Sequence, residues 1–369
     1  MARKLSSDKI LFSALVALSL FGCVMIYSAS AVSASETGGN PYRYLIKQII
    51  ALATGGLAAF VVYRTDYRFF MRPWLVYAVF FGAFALSVAA LFAHPVNAAR
   101  RWLRVGVFTL QPSELLKVGL VLVLAHQLAR KSRGAEGPEK ALVPCAVLTA
   151  MAAGVVMLEP DLGTAASLVA IAACVLWLAG ARLRWFAVGA LALVPIAAAL
   201  ALSVGYRKAR ILSFLKPEAD PLGAGFQAIQ SLIAVGAGGW TGSGLGASRQ
   251  KLFFLPYPHT DFIFAIVGEE LGFLGAFGVV LCFAVVAWRG LRAARRAPES
   301  SAALLAAGAT AMLVVQAAIN VSVVLALVPT KGIALPFVSY GGSSLVACWI
   351  AGGLLLNISQ HEVPVSERA

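Results

Sequence analysis

Runs of about twenty consecutive apolar residues recur along this chain, and that recurrence constrains its fold more than any other feature. A helix of ~20 residues covers the ~30 Å of hydrocarbon in a bilayer while bonding all of its backbone groups internally. The first run extends from about Ile10 to Tyr27, and others lie near 43–63, 74–94, 112–129, 141–158, 162–180, 186–204, 262–288, 302–328 and 339–358. With 60% of its 369 residues hydrophobic and only 12% charged, the chain carries more apolar surface than a soluble domain can hide. The short alternating segments of an outer-membrane barrel are not evident. The expected fold is all-α: a polytopic membrane bundle of about ten helices in one domain over 1–369. A single long polar loop, at about 205–260, separates the seventh helix from the eighth.

The small-residue run Ser28 to Ser35 has the look of a signal-peptidase site. Its preceding apolar segment exceeds the ~7–15 residues of a cleaved signal, so a retained first helix is predicted. An even number of spans leaves both termini on one side. Arg64, Arg68 and Arg72, then Arg130, Lys131, Arg133 and Lys140, then Arg182 and Arg184, and finally Arg289, Arg292, Arg295 and Arg296 fall on that side, which the positive-inside rule makes cytoplasmic. The opposite side also carries cations: Arg43, Lys47, Arg100, Arg101, Arg104, Arg207, Lys208, Arg210, Lys216, Arg249, Lys251 and Lys331. These serve either as headgroup contacts or as a site for an anionic substrate such as a diphosphate. A net charge of +14 is compatible with a nucleic-acid partner. The cations lie in short clusters between apolar runs with no accompanying nucleic-acid motif, which favours anionic lipid instead.

Cys23, Cys145, Cys174, Cys282 and Cys348 all fall within apolar stretches without CxxC spacing, which indicates neither disulfides nor a metal site. In the long loop, Phe226 to Ile233 has apolar residues at helical spacing, suited to a helix in the interface. The glycine-rich run Gly236 to Gly246 follows it. This run lacks the spacing and context of a phosphate-binding loop, so no nucleotide is expected. No internal repeat is evident.

Four stretches put polar groups at the edges of the apolar runs. In Leu255 to Gly272, Pro256 and Pro258 prevent a helix from entering from upstream, so a helix is predicted to start near Thr260 with Asp261 in its first turn. Asp261 is then either a helix-starting carboxylate or a proton acceptor at the membrane surface. Gln111-Pro112-Ser113-Glu114 opens another helix, on which Glu114 and Lys117 lie three apart on one face and can pair. That pair has either a packing or a supporting role. Glu159-Pro160-Asp161 breaks the run between the fifth and sixth helices. Toward the end, Asn320 sits within an apolar helix, and prolines and glycines between Pro329 and Gly342 imply irregular backbone at membrane depth.

These stretches carry a resemblance. Leu255-Pro-x-x-His259-Thr260-Asp261-Phe262-Ile263-Phe264-Ala265 followed by Gly268-Glu-Glu-Leu-Gly272 resembles the signature of the SEDS family, the polytopic peptidoglycan glycosyltransferases FtsW, RodA and SpoVE. Arg101-Trp102 with Gln111-Pro-Ser-Glu114-x-x-Lys117, Pro160-Asp161-x-Gly163-Thr164, and Pro329-Thr-Lys331-Gly with Leu335-Pro-x-x-Ser339-Tyr-Gly-Gly-Ser-Ser are similar to further family motifs. The last is closest to the division branch, FtsW. Tyr257-Pro258 departs from the pair commonly found before the histidine.

The resemblance implies polymerisation of lipid II with inversion at the outer face of the cytoplasmic membrane. A nascent glycan on its lipid diphosphate is the donor, and the 4-hydroxyl of lipid II GlcNAc attacks. It implies Asp261 as general base, with Arg101, Glu114, Lys117, Asp161, His259, Thr260, Lys331 and Ser339 binding substrate or supporting. Lys331 and the 207–210 cluster join Arg101 as candidate partners of the leaving phosphate. The expected partners are a class B penicillin-binding protein and other divisome membrane proteins. No ligand cluster demands a cofactor, and the diphosphate leaves room for a divalent cation. A lipid II flippase, a scaffold for a transpeptidase and a RodA-like elongation enzyme are the alternatives.

Overall fold

The structure, a computed structural model, describes residues 7–36, 39–95, 99–105, 108–131, 139–202, 213–214, 225–252 and 254–361. The elements run α1 (Lys9–Glu36), α2 (Arg43–Arg64), the single turn α3 (Tyr67–Phe70), α4 (Pro73–Ala90), β1 (Leu103–Val105), β2 (Phe108–Leu110), α5 (Pro112–Lys131), α6 (Glu139–Leu158), α7 (Leu162–Leu178), α8 (Leu183–Leu202), α9 (Phe226–Ala237), α10 (Ile263–Arg296), α11 (Ser300–Val324) and α12 (Gly342–Ser359). Each of the ten apolar runs falls on one of the long helices. Eight of the described helices are long and apolar enough to cross a membrane, and α7 and the described part of α8 are shorter apolar helices. The chain is a multi-pass helical membrane protein.

Helices α5, α11 and α12 form the inside of the bundle, and α12 packs along α2 while α11 lies against α5, α7 and α10. The two ends of the described chain meet on one face. There the Asp8 backbone N–H donates to Ser359 Oγ at 3.2 Å, and the Asp8 carboxylate pairs with Arg289 at 2.5 Å. The first apolar run is thus a structural helix of the bundle, longer than predicted because its alanine and serine tail stays helical. From Ser359 the α12 helix rises through 18 residues, about 27 Å, to the opposite face. Asp261 lies there.

Two features were not anticipated. β1 and β2 form an antiparallel hairpin with Leu103 opposite Leu110. And α10 is two helices joined at Gly272, whose φ of 66° and ψ of −162° break the helical ladder. The loop after α9 docks into that break: Phe273 and Leu274 N–H donate to the carbonyls of Gly239 and Trp240 at 2.8 and 3.1 Å, and Ser243 and Gly244 N–H donate to Glu269 and Glu270 at 3.0 and 2.9 Å. In lipid an unbonded amide or carbonyl is costly, so a helix can break only where another segment supplies the missing partners. A side chain at position 272 would meet Gly242 N at 2.4 Å, so both the conformation and the contact require glycine.

Candidate active site

The face opposite the chain ends is assembled from helix ends. α10 begins at Ile263, later than predicted, and its N-cap position is held by Phe262, so Asp261 sits in the turn before the helix rather than in its first turn. The prolines upstream keep the segment extended and turning, which delays the helix by two to three residues. Asp261 is half-buried.

The backbone of this turn is clamped by side chains from other helices. Asn320 on α11 donates to the carbonyls of Asp261 at 2.8 Å and Ile333 at 2.7 Å. Ser339 Oγ donates to the Thr260 carbonyl at 2.6 Å and accepts from the Leu335 N–H at 2.8 Å. The Tyr340 N–H donates to the His259 carbonyl at 2.9 Å. The irregular segment from 330 to 341 is therefore bound to the Asp261 turn at both its ends. Between them, Gly332 lies so close to Asp261 that a Cβ there would stand 2.7 Å from Oδ2.

The same segment reaches a second helix start. Ile333 and Lys331 cover Gly163 on α7, within 3.0 and 3.3 Å of where its Cβ would be. Asp161 caps that helix: Oδ1 accepts from the Thr164 N–H at 3.0 Å, and Oδ2 accepts from Thr164 Oγ1 at 2.9 Å. Oδ2 also pairs with Arg101 at 3.0 Å. Beside this pair Glu159 has no exposed surface, and burial foremost, then the Asp161 charge, pushes its carboxyl up to about 8. Glu159 is accordingly neutral at pH 7.

Deeper in the bundle, Lys117 Nζ lies 2.8 Å from Glu114 Oε1 and donates to Gln316 Oε1 at 2.6 Å. Gln316 Nε2 in turn donates to the Ala334 carbonyl at 2.9 Å. Gln316 and Asn320 lie four apart on one face of α11, so one helix stripe holds both the buried lysine and the 333–334 backbone.

Residues 8–363 match the cell cycle protein family that comprises FtsW, RodA and SpoVE. The chain belongs to this family. It is 40% identical over 361 residues to stage V sporulation protein E of Bacillus subtilis, an alignment that covers 97% of this chain and 98% of that protein. It is 43% identical over 351 residues to the probable peptidoglycan glycosyltransferase FtsW of Alkalilimnicola ehrlichii, covering 93% and 86% of the two chains. Among solved structures it resembles a chain from a peptidoglycan synthase complex that coordinates polymerization and crosslinking (TM-score 0.78, 32% identity, 96% and 98% covered). It also resembles the rod shape determining protein RodA of Thermus thermophilus (TM-score 0.71, 28% identity, 98% and 99% covered).

The site residues expected from the SEDS resemblance divide into three groups. Asp261, Thr260, Ser339 and Lys331 come together around the 330–341 segment, and Arg101 with Asp161 adjoins them through Gly163. Glu114 and Lys117 lie beneath, fully inside the bundle. His259 is different. Its ring packs 4.5 Å from Tyr44 and 5.8 Å from Tyr340, and burial lowers its pKa to about 4, which makes it an uncharged packing group at neutral pH.

Lys251 is not an outer-face cation available to an anion. It is buried against Glu270 at 2.8 Å and donates to the Gly246 carbonyl at 2.6 Å. Arg207, Lys208, Arg210 and Lys216 lie outside the described residues. Among the described residues no three His, Cys, Asp or Glu side chains group as metal ligands would. Gly332 and Gln316 were not singled out from the sequence. Gln316 carried a legible signal, a second amide one turn before Asn320 in an apolar helix, whereas the role of Gly332 depends on a contact between segments 71 residues apart.

Proposed function

We propose that this SEDS protein polymerises lipid II into glycan strands, with Asp261 as the general base. The observation that carries the reading is the convergence of the Asp261 turn, the 330–341 segment and the Arg101–Asp161 pair on the face opposite the chain ends. Asp261 takes the proton of the GlcNAc 4-hydroxyl as that oxygen forms its bond to the anomeric carbon of the donor. The bond from that carbon to the lipid diphosphate breaks, and the electron pair leaves on the diphosphate. Catalysis needs a base on one side of the sugar and positive charge on the other. Arg101 and Lys331 are the proposed cations. The Asp161 partner holds one terminal nitrogen of the Arg101 guanidinium and leaves the side chain 27% exposed, so its other terminal nitrogen is the one proposed to meet phosphate oxygens. Where a divalent cation accompanies the diphosphate, it enters with the substrate.

Both chain ends are proposed to be cytoplasmic. Arg64, Arg68, Arg72, Arg289, Arg292, Arg295 and Arg296 lie at the helix ends on their face, and the positive-inside rule supports that orientation. Asp261 then faces the outer leaflet. Likeness to FtsW and to a chain of a polymerising and crosslinking synthase complex supports a division role beside a class B penicillin-binding protein.

The test is labelled lipid II given to the purified protein, alone and with its transpeptidase, comparing the native chain with Asp261→Asn. Polymer is expected from the native chain and essentially none from the folded variant. Equal polymer from both removes Asp261 from the chemistry, and translocation of lipid II without polymer makes the protein a transporter.

A further inference from the structure

Ser343, the second residue of α12, is buried, and its hydroxyl binds the end of the β1–β2 hairpin twice. Oγ accepts from the Gln111 N–H at 2.9 Å and donates to the Thr109 carbonyl at 3.2 Å. The hairpin in turn carries the Arg101–Asp161 pair. Arg101 lies two residues before β1 and Gln111 directly after β2, and the pairing of Leu103 with Leu110 brings those two ends side by side. Their side chains reach the same oxygen: Asp161 Oδ2 accepts from an Arg101 terminal nitrogen at 3.0 Å and from Gln111 Nε2 at 3.5 Å. An ion pair to an arginine that is 27% exposed is by itself a weak tether. The placement of the guanidinium therefore depends on the backbone that bears it, and Ser343 anchors that backbone.

The position of Ser343 in the chain gives the anchor its consequence. Four residues earlier, Ser339 Oγ donates to the Thr260 carbonyl at 2.6 Å, and the Tyr340 N–H donates to the His259 carbonyl at 2.9 Å. One stretch, 339–343, thus grips the turn that carries Asp261 at one end and the hairpin that follows Arg101 at the other. Four residues of chain span at most about 14 Å. Base and cation are held together across this short stretch, and removing the Ser343 hydroxyl leaves the Gln111 N–H and the Thr109 carbonyl without that partner.

We propose that Ser343 is a positioning residue for the departing diphosphate: by fixing the β1–β2 hairpin it places the Arg101 guanidinium relative to Asp261. This rests on the reading of Arg101 as a cation that meets that diphosphate.

The experiment measures binding of undecaprenyl diphosphate to the full chain in detergent by native mass spectrometry. The native chain is compared with Arg101→Gln, Ser343→Ala, Ser343→Cys and Arg101→Gln combined with Ser343→Cys, each with a melting curve that verifies folding. A thiol fills the place of the hydroxyl but hydrogen bonds weakly, so the cysteine variant separates lost bonds from lost packing and carries the comparison if the alanine variant does not fold. Arg101→Gln is expected to bind about tenfold more weakly, the loss of a hydrogen bond to a charged group, and the folded Ser343 variants about three- to tenfold more weakly. The combined variant is expected to bind no more weakly than Arg101→Gln, since the effect of Ser343 passes through that guanidinium. Weakened Arg101→Gln beside native binding by Ser343→Cys, or a cysteine loss that adds in full to that of Arg101→Gln, overturns the proposal alone. Native binding by Arg101→Gln overturns the reading on which it rests, and the proposal with it.

Discussion

Gly332→Ala is the sharpest perturbation of the proposed base, because it moves Asp261 without altering any charge or hydrogen-bonding group. The added methyl would stand 2.7 Å from Oδ2, whereas ordinary contact begins at 3.4 Å, so the carboxylate must retreat by about 0.7 Å. The obstructing atom is the far end of a half-buried side chain and not backbone, so the carboxylate can yield by rotation. Gly332 has no positive φ among the described glycines, and replacing a glycine in ordinary backbone is neutral to stabilising by up to about 1 kcal/mol. The effect on rate is larger. A general base works within about 2.6–3.2 Å of the oxygen whose proton it takes, and a misplacement approaching 1 Å costs roughly tenfold to a hundredfold.

The assay is polymerisation of labelled lipid II by the purified protein, with glycan length and initial rate read on gels and a melting curve from the same preparation. The expected result is an unchanged melting temperature with kcat lowered by about ten- to a hundredfold. Combined with Asp261→Asn, the alanine should add no further loss, since its effect passes through that carboxylate. A folded Gly332→Ala protein that polymerises at the native rate would refute the placement of the base.

Two further outcomes follow from groups beneath and beside the base. Lys117→Met leaves Glu114 as an uncompensated buried charge and should destabilise the protein by about 3–5 kcal/mol, whereas Glu114→Leu with Lys117→Met should recover most of that loss; melting of the single and double variants in detergent checks this, and equal melting of the two would mean that the pair is not coupled. Burial lifts the Glu159 pKa from 4.5 to about 8, so the stability contributed by its protonated form is complete below about pH 4.5 and is lost as pH rises through about 8. The native chain should melt lower at about pH 9 than at about pH 6, and Glu159→Gln should flatten that difference; identical slopes would place the titration elsewhere.

What the sequence made legible was whatever depends on local order. Apolar runs located the long helices, Pro112 marked the start of α5, and the spacing of Glu114 and Lys117 announced their contact, since residues three apart on a helix are neighbours whatever surrounds them. The failures involve pairings between distant segments. Lys251 was counted as a surface cation because charge counting treats each side chain as solvated, and its partner Glu270 sits on another element at a helix break that no periodicity reveals. The hairpin of β1 and β2 has only three residues in each strand, too few for alternation to register. The three-residue displacement of the α10 start reflects the upstream prolines and a turn held by Asn320 and Ser339 rather than by local capping.

Asn320, Gln316 and Ser339 share one physical task, which explains why they gather near Asp261. The face around Asp261 is built of chain that is not helical, because two separated segments bring the Asp261 carboxylate and Gly332 into contact there. Such backbone leaves carbonyls without helical partners at a depth where water is scarce. Asn320 supplies donors to Asp261 and Ile333, Gln316 to Ala334, and Ser339 to Thr260. Each donor is rigidly held, two by α11 and one by its own bond to Leu335. Lys117 fixes Gln316 from the other side, and Glu114 neutralises the lysine that does so. The buried ion pair therefore acts on the site through three hydrogen bonds in series, Glu114 to Lys117 to Gln316 to the Ala334 carbonyl, two residues from the glycine that sets the position of Asp261. This chain of contacts ties the buried pair to the backbone beside Asp261: the pair packs the bundle and, by the same bonds, holds the Ala334 carbonyl in place.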